Sequence, residues 1–371
     1  MATKEYKLKD LLVIKNGKDY KNLLDGSVPV YGTGGVMTYV NDKLYSGESI
    51  LLPRKGSLEN ITYVNGDFWT VDTMYWSIVN ETIAYPKYLY LYLSLLDLSK
   101  KDSGSTLPSM TFDSYYSVPV KLPSKEKQKE IANFIFQIIG KIEKNNEIIK
   151  ELESMSKTLY DYWFLQFEFP NKEGKPYRTS GGKMVWNEEL KREIPEGWKV
   201  SKIGDILEEA NKSKIQVNDA KEKGKYPFFT SGEKILCYDD YLVKGFNIFL
   251  NTGGNPDIKA YMGKCAYSTD TWCVSAKEYS YILFYYLLKL MPQFEQLFFA
   301  GSGLKHLQKD SLKNQYILLP DEKVLRNFNN ICELIWKKIT NCLIENQELT
   351  SQRDFLLPLL MNGQVSFKSN Y

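Results

Sequence analysis

The 371-residue chain is written twice. Pro29, Gly34, Gly47, Ile50, Gly56 and Tyr63 recur as Pro227, Gly232, Gly245, Ile248, Gly254 and Tyr261, each pair 198 positions apart. Asp72-Thr73 recurs as Asp270-Thr271 at the same offset. Further on, Gly104-Ser105 matches Gly301-Ser302 and Leu122-Pro123 matches Leu319-Pro320, at an offset of 197. A single deletion over so long a register means that one structural unit has been built two times.

Both halves share a grammar. Each opens with short apolar runs broken by glycines: Val28-Pro29-Val30-Tyr31-Gly32-Thr33-Gly34-Gly35, and Tyr226-Pro227-Phe228-Phe229-Thr230-Ser231-Gly232. That spacing predicts short strands and tight turns. An aromatic helix follows, Pro86 to Leu98 and Glu278 to Met291, then a Gly-Ser loop. A short strand ends at Leu-Pro (Val118 to Pro123, Tyr316 to Pro320), and each half closes with a long helix.

The closing helices carry a coiled-coil stripe. Ile131, Ile135, Ile138, Ile142, Asn145, Ile149, Leu152, Ser156 and Leu159 step by alternating fours and threes. The 197 offset maps them onto Phe328, Cys332, Ile335, Ile339, Cys342, Asn346, Leu349, Arg353 and Leu356. Alternating steps keep one seam on one face, and an asparagine in such a seam fixes register. A helix of 36 residues spans about 54 Å, further than a small domain can cover, so the stripes are expected to bury each other. Between the halves, 169–198 is rich in Gly, Lys, Glu and Pro and reads as an irregular connector. The Tyr160-Asp161-Tyr162-Trp163-Phe164 run leading to it is aromatic enough to be packed.

The remaining numbers narrow the class. With 43% hydrophobic and 25% charged residues the composition is that of a soluble chain. A net charge of +3 means that any basic surface is local. Met1-Ala2-Thr3-Lys4-Glu5 has no apolar signal region, and no run reaches the roughly 18 apolar residues of a membrane span. Five scattered cysteines (Cys237, Cys265, Cys273, Cys332, Cys342) without a C-x-x-C pair are expected to be free thiols in a reducing cytoplasm. His306, the one histidine, has no thiolates at ligand spacing, so no metal site is expected.

The layout of variable domain, long helix, variable domain, long helix resembles the specificity subunit of Type I restriction–modification enzymes. The most specific match is Tyr160-Asp161-Tyr162-Trp163-Phe164-Leu165-Gln166-Phe167, running into Pro170-Asn171 and Gly174-Lys175-Pro176-Tyr177. It continues through Ser180-Gly181-Gly182-Lys183-Met184-Val185-Trp186 to Ile194-Pro195-Glu196-Gly197-Trp198. The family's Leu-Pro-Pro stands here as Leu122-Pro123-Ser124 and Leu319-Pro320-Asp321. The resemblance spans essentially the whole chain. It implies an α+β fold with two pseudo-repeated target recognition domains, separated by two long antiparallel helices that form a coiled coil. The expected divisions are 1–122 and 199–319 for the recognition domains, 123–168 and 320–362 for the helices, 169–198 for the connector and 363–371 for the tail.

The resemblance also implies function. Each recognition domain reads one half of a split, asymmetric site on double-stranded DNA. The helices set the gap and dock two modification (methyltransferase) subunits, and motor-nuclease (restriction) subunits join them. S-adenosylmethionine, Mg²⁺ and ATP belong to those partners, and the chain itself holds no cofactor. No membrane partner is expected.

Two other readings predict different residues. A fused methyltransferase–endonuclease needs an Asn/Asp-Pro-Pro-aromatic motif, but Asn255-Pro256-Asp257-Ile258 lacks the second proline and the aromatic. Gly32-Thr33-Gly34-Gly35 leads into the strand Thr38-Tyr39-Val40 and offers no helix N-terminus to a phosphate. There is no Walker-type loop, and Pro320-Asp321-Glu322-Lys323 opens a helix where acids are favoured, with no nuclease geometry. No catalytic residue is assigned. A scaffold that does not bind DNA is the other reading, separable by a gel shift.

Base edges are read by polar side chains on projecting loops, and phosphates by Lys, Arg and backbone N–H groups. In the first half the candidates are Lys15, Asn16, Lys18, Tyr31, Thr33, Gly34, Gly35, Arg54, Lys55, Ser57, Ser105 and Thr106. In the second they are Lys212, Lys214, Thr230, Ser231, Asn251, Thr252, Gly253, Gly254, Ser302, Lys305 and His306. Helix pairing or partner contact falls to Ile131, Ile138, Ile142, Asn145, Ile149, Leu152, Ile335, Ile339, Asn346 and Leu349. The half-site sequences and the spacer depend on loop geometry, which composition and spacing do not carry.

Overall fold

The computed structural model describes residues 2–98, 109–301, 303 and 305–367. The chain divides into two compact units, Met1–Glu143 with Asn346–Tyr371, and Lys144–Glu345. These divisions run through both long helices, where the sequence places limits at 122/123 and 319/320. The reason is packing. Ile131, Ala132 and Ile135 share the core of the first unit with Leu357, Leu360 and Met361. Tyr160, Phe328, Cys332, Ile335 and Ile339 lie in the core of the second.

The first unit runs β1 (Lys4–Lys7), α1 (Leu8–Leu11), β2 (Leu12–Lys15), β3 (Asp25–Gly32), β4 (Gly35–Val40), β5 (Tyr45–Pro53), β6 (Thr62–Thr70), β7 (Met74–Val79), α2 (Pro86–Ser94), α3 (Phe112–Tyr116), β8 (Pro119–Leu122) and the start of α4 (Lys125–Tyr160). Six strands form one sheet in the order β2-β7-β5-β6-β3-β4, and β1 pairs with β8. Ile50 to Pro53 are buried without a break, the pattern of a central strand covered on both faces. The β3–β6 pair is parallel (Val30↔Trp69) and the other pairs are antiparallel.

The connector is more ordered than its composition suggests. It carries a hairpin of β9 (Met184–Asn187) and β10 (Arg192–Pro195). Its Phe169 stacks on Trp198 at 4.9 Å between ring centroids, in the same core as Trp163 and Phe164. The first long helix ends at Tyr160 in a π-helical turn, Asp161–Leu165, which aims Trp163 and Phe164 into that core.

The second unit continues with β11 (Lys199–Lys202), α5 (Ile203–Ile206), β12 (Glu208–Glu209), β13 (Tyr226–Phe229), β14 (Leu236–Tyr238), β15 (Phe246–Asn251), β16 (Ile258–Met262), β17 (Ala266–Tyr267) and β18 (Thr271–Ser275). Then come α6 (Ser280–Phe298), β19 (Phe299–Ala300), β20 (His306–Leu307), α7 (Lys309–Lys313), β21 (Tyr316–Leu319) and α8 (Glu322–Met361). The parallel β3–β6 pair recurs as β13–β17 (Phe228↔Ala266), and β1–β8 recurs as β11–β21. The counterpart of β6 is interrupted at 263–265, between β16 and β17, so one sheet becomes a four-stranded and a three-stranded sheet. Helix α6 runs past Pro292, beyond the expected end at Met291, because Phe294 and Phe298 are buried on its last turns. Core packing outweighs the one hydrogen bond that proline removes.

The stripes are buried as the heptad pattern requires: every stripe residue from Ile131 to Leu159 and from Phe328 to Leu356 is buried or half-buried. Within the second unit the pairing is antiparallel. Asn145 Nδ2 donates to Glu345 Oε2 at 2.8 Å, and at the other end Tyr160 faces Phe328 at 6.4 Å. Asn145 is 1% exposed, so this seam asparagine is satisfied by a carboxylate, while Asn346 is half-buried.

The departures from Leu-Pro-Pro also find their reason here. Ser124 Oγ accepts from the Lys127 N–H at 3.4 Å, and Asp321 Oδ1 accepts from the Lys323 and Val324 N–H groups at 2.9 and 3.0 Å. Both residues cap helix N-termini, work a second proline cannot do. Replacing Asp321 by Ala is expected to cost about 1 kcal/mol, read as a lowered urea midpoint at unchanged slope; an unchanged midpoint would refute the cap.

Candidate nucleic-acid interface

Four loops of the first unit meet at one end of its sheet. The loop after β2 is held to the end of β6: Lys18 N–H donates to the Thr70 carbonyl at 2.8 Å, and Trp69 Nε1 donates to the Lys18 carbonyl at 2.8 Å. A Cβ at Gly17 would stand 1.9 Å from the Val71 carbonyl oxygen, so only glycine allows this approach. Thr33-Gly34 forms the tip between β3 and β4, with Gly35 at φ 106°. The Thr33 carbonyl accepts from Asn60 Nδ2 at 2.8 Å, tying that tip to the loop after β5. Arg54 Nη1 reaches the Asp72 carbonyl at 3.4 Å, and the Arg54 guanidinium lies 5.9 Å above the Tyr75 ring. Met110 N–H donates to the Arg54 carbonyl at 3.0 Å, and Lys55 forms a β-bridge with Ser109.

Lys15, Asn16, Lys18, Lys55 and Ser57 are exposed on this cluster; Tyr31, Thr33 and Arg54 are half-exposed. Burial, then the Tyr39 phenol, pushes the Tyr31 hydroxyl above its usual pKa, so at neutral pH it remains a protonated donor. Ser105 and Thr106 lie outside the described residues.

The second unit builds the same cluster from repeat-equivalent residues. Leu307 N–H donates to the Thr252 carbonyl at 3.0 Å, the counterpart of Met110 on Arg54. Gly253 bridges His306 where Lys55 bridges Ser109. Thr252 Oγ1 donates to the Asp270 carbonyl at 2.8 Å, the contact that Arg54 makes to Asp72. Gly254 (φ 75°) matches Gly56 (φ 91°). Ser231 Oγ also donates to Asp270 O, at 2.6 Å, and Ile215 O accepts from the Thr269 N–H at 2.9 Å, which brings in the 212–214 loop.

The candidates of the second unit differ in what they leave available. Lys212, Lys214 and His306 are exposed. Asn251 is 5% exposed, and its Nδ2 donates to the Ser231 and Asn255 carbonyls at 2.8 and 3.0 Å, so it shapes the loop. Thr230 is equally buried, with its hydroxyl accepting from the Gly232 N–H at 3.0 Å. Lys305 is paired with Glu295 at 2.6 Å. Ser302 lies outside the described residues. Ser109 and Asn60 belong to the first cluster but escaped sequence reasoning. The 197 offset that maps His306 onto Ser109 was the available signal.

Among the described residues no group of His, Cys, Asp and Glu could hold a metal ion, and no helix is long and apolar enough to cross a membrane. Of the five cysteines, which are free, four are buried and Cys237 is half-buried; burial pushes the Cys273 thiol up to about 12.

Comparison with known proteins gives a consistent set. The family model described as the Type I restriction modification DNA specificity domain matches twice, over residues 2–154 and 195–349. The MjaIX specificity subunit of a Type I restriction enzyme from Methanocaldococcus jannaschii is 26% identical, over 87% of this chain and 79% of its own length. The HindI specificity subunit from Haemophilus influenzae is 21% identical, over 81% of this chain and 82% of its own. The crystal structure of a Type I restriction–modification S subunit from M. genitalium superposes with a TM-score of 0.63 at 14% identity, covering 97% of this chain and 96% of that one, a likeness of fold.

Proposed function

Because the chain belongs to the Type I restriction modification DNA specificity family, we propose that it binds double-stranded DNA and reads a bipartite asymmetric site, one half with each loop cluster. It is a non-catalytic specificity subunit, like the relatives it resembles. The observation that carries the DNA reading is that one loop cluster is built twice. Arg54–Asp72, Met110–Arg54 and Lys55–Ser109 in one unit answer to Thr252–Asp270, Leu307–Thr252 and Gly253–His306 in the other. Loops positioned in this way by a rigid scaffold are where binding residues concentrate.

The paired helices scaffold two methyltransferase subunits, and motor-nuclease subunits join these. S-adenosylmethionine, Mg²⁺ and ATP are carried by those partners, in the cytoplasm. Met155, Leu334, Ile344 and Phe355 support the scaffolding role: they are large apolar side chains on the long helices, and they are 44–69% exposed.

The experiment is to express the chain with its methyltransferase subunits and sequence the host's methylated bases. A single split motif is expected, lost when this chain is omitted, and the purified chain alone should transfer no methyl group. Methylation without a motif, or a motif unchanged by omission, would overturn the reading.

A further inference from the structure

The bridge at the heart of each loop cluster is filled in opposite ways. In the first unit Lys55, exposed, stands opposite the short Ser109; in the second, Gly253 stands opposite the exposed His306. Residues directly opposite in an antiparallel bridge crowd each other's side chains. At Gly253 that crowding is measurable: an added Cβ would sit 3.3 Å from His306 Nδ1 and 3.5 Å from Cε1. Each bridge therefore presents one reaching side chain and one small residue that makes room for it. The backbone beneath is fixed equally in both units, by the 3.0 Å bonds from Met110 to Arg54 and from Leu307 to Thr252. A rigid support under an exposed polar side chain is what base selection requires. Several neighbours of the pair are engaged elsewhere, although Lys15, Lys18, Lys212 and Lys214 are as exposed as Lys55 and His306. Lys305 is neutralised by Glu295, and Thr252 and Ser231 are bonded to Asp270. What sets Lys55 and His306 apart from those lysines is their place in the bridge, each opposite a small residue.

We propose that this bridge is the specificity-determining tip of each unit: Lys55 reads a guanine edge in one half-site, and His306 reads the equivalent base pair in the other. The inference rests on the DNA-reading function above. Lys suits the paired O6 and N7 acceptors of guanine, and imidazole offers one donor and one acceptor to a base edge.

The test compares two variants in the assembled complex, read by methylome sequencing and by DNA affinity against salt. Lys55→Ala is expected to relax a single base-pair position in one half-site by roughly tenfold, leaving the other half intact. Gly253→Lys combined with His306→Ser rebuilds the Lys55–Ser109 pair in the second unit. Gly253 tolerates this because its φ lies outside the left-handed region and the imidazole has been removed. That variant is expected to acquire a guanine at the matching position of the second half-site. Uniform weakening of Lys55→Ala on all sequences, with the salt slope smaller by about one, would mean a phosphate contact and overturn the proposal. So would an unaltered motif in both variants. If the unmodified complex itself shows no split motif, the DNA-reading function fails first.

Discussion

Truncating Phe328 to alanine should destabilise the second unit by about 3–5 kcal/mol, a large share of the roughly 5–15 kcal/mol that holds a typical domain folded. Phe328 is fully buried near the start of α8. Its ring lies 4.8 Å from Phe164, 5.8 Å from Trp163, 6.3 Å from Tyr285 and 6.4 Å from Tyr160. These four neighbours come from three places in the sequence: the end of α4, the π-helical turn, and α6. None can collapse into the cavity without leaving its own packing, so most of the void should persist. Phe355, on the same helix and 68% exposed, is the control: its replacement by alanine should change stability by no more than about 0.5 kcal/mol. Urea unfolding followed by tryptophan fluorescence measures both. A Phe328→Ala loss below 1 kcal/mol would mean that the seam does not depend on this ring.

The contrast between those two phenylalanines shows what a heptad stripe conveys. The alternating steps identified Phe328 and Ile335 as seam residues and left Phe355 off the stripe, because a seam is a property of spacing. The halving of the chain was equally legible, since Gly56 and Gly254 must each supply a positive φ and glycine cannot be exchanged there without strain. Other features need contacts between distant residues. The split of the second sheet at 263–265 and the hairpin at 184–195 turn on packing partners, and neither has a periodic signal. The same limit divided the site. Exposed loop cations such as Lys55 and Lys212 were visible as loop residues. That Asn251 is buried and engaged with two backbone carbonyls, and that Ser109 stands opposite Lys55, follow from three-dimensional pairing alone.

Exchanging Leu12–Ser117 for the corresponding segment of a family member with a different target should replace one half of the recognised sequence and leave the other unchanged. The prediction follows from where the contacts close. Lys18–Thr70, Thr33–Asn60, Arg54–Asp72, Lys55–Ser109 and Met110–Arg54 all lie inside that segment. The second cluster closes among 211–232, 251–271 and 305–307 in the same way. Contacts that share no partner are expected to act additively. The boundary of the exchange matters. Leu12, Ile50, Tyr88 and Tyr115 inside the segment share one core with Leu8, Leu11, Val120, Leu122, Ile131, Ile135, Leu357 and Leu360, so the donor must match them in volume, and keeping Leu8, Leu11, Val120 and Leu122 native limits the mismatch. An exchange extended through Ile135 would mix two sets of core side chains, and overpacking or voids there cost about 1–3 kcal/mol per site. Methylome sequencing of hosts carrying the short and the extended exchange decides the matter. The short exchange should give a hybrid motif at full activity, and the extended one the same motif with less folded protein. A short exchange that altered both half-sites would show that the two loop clusters do not read independently.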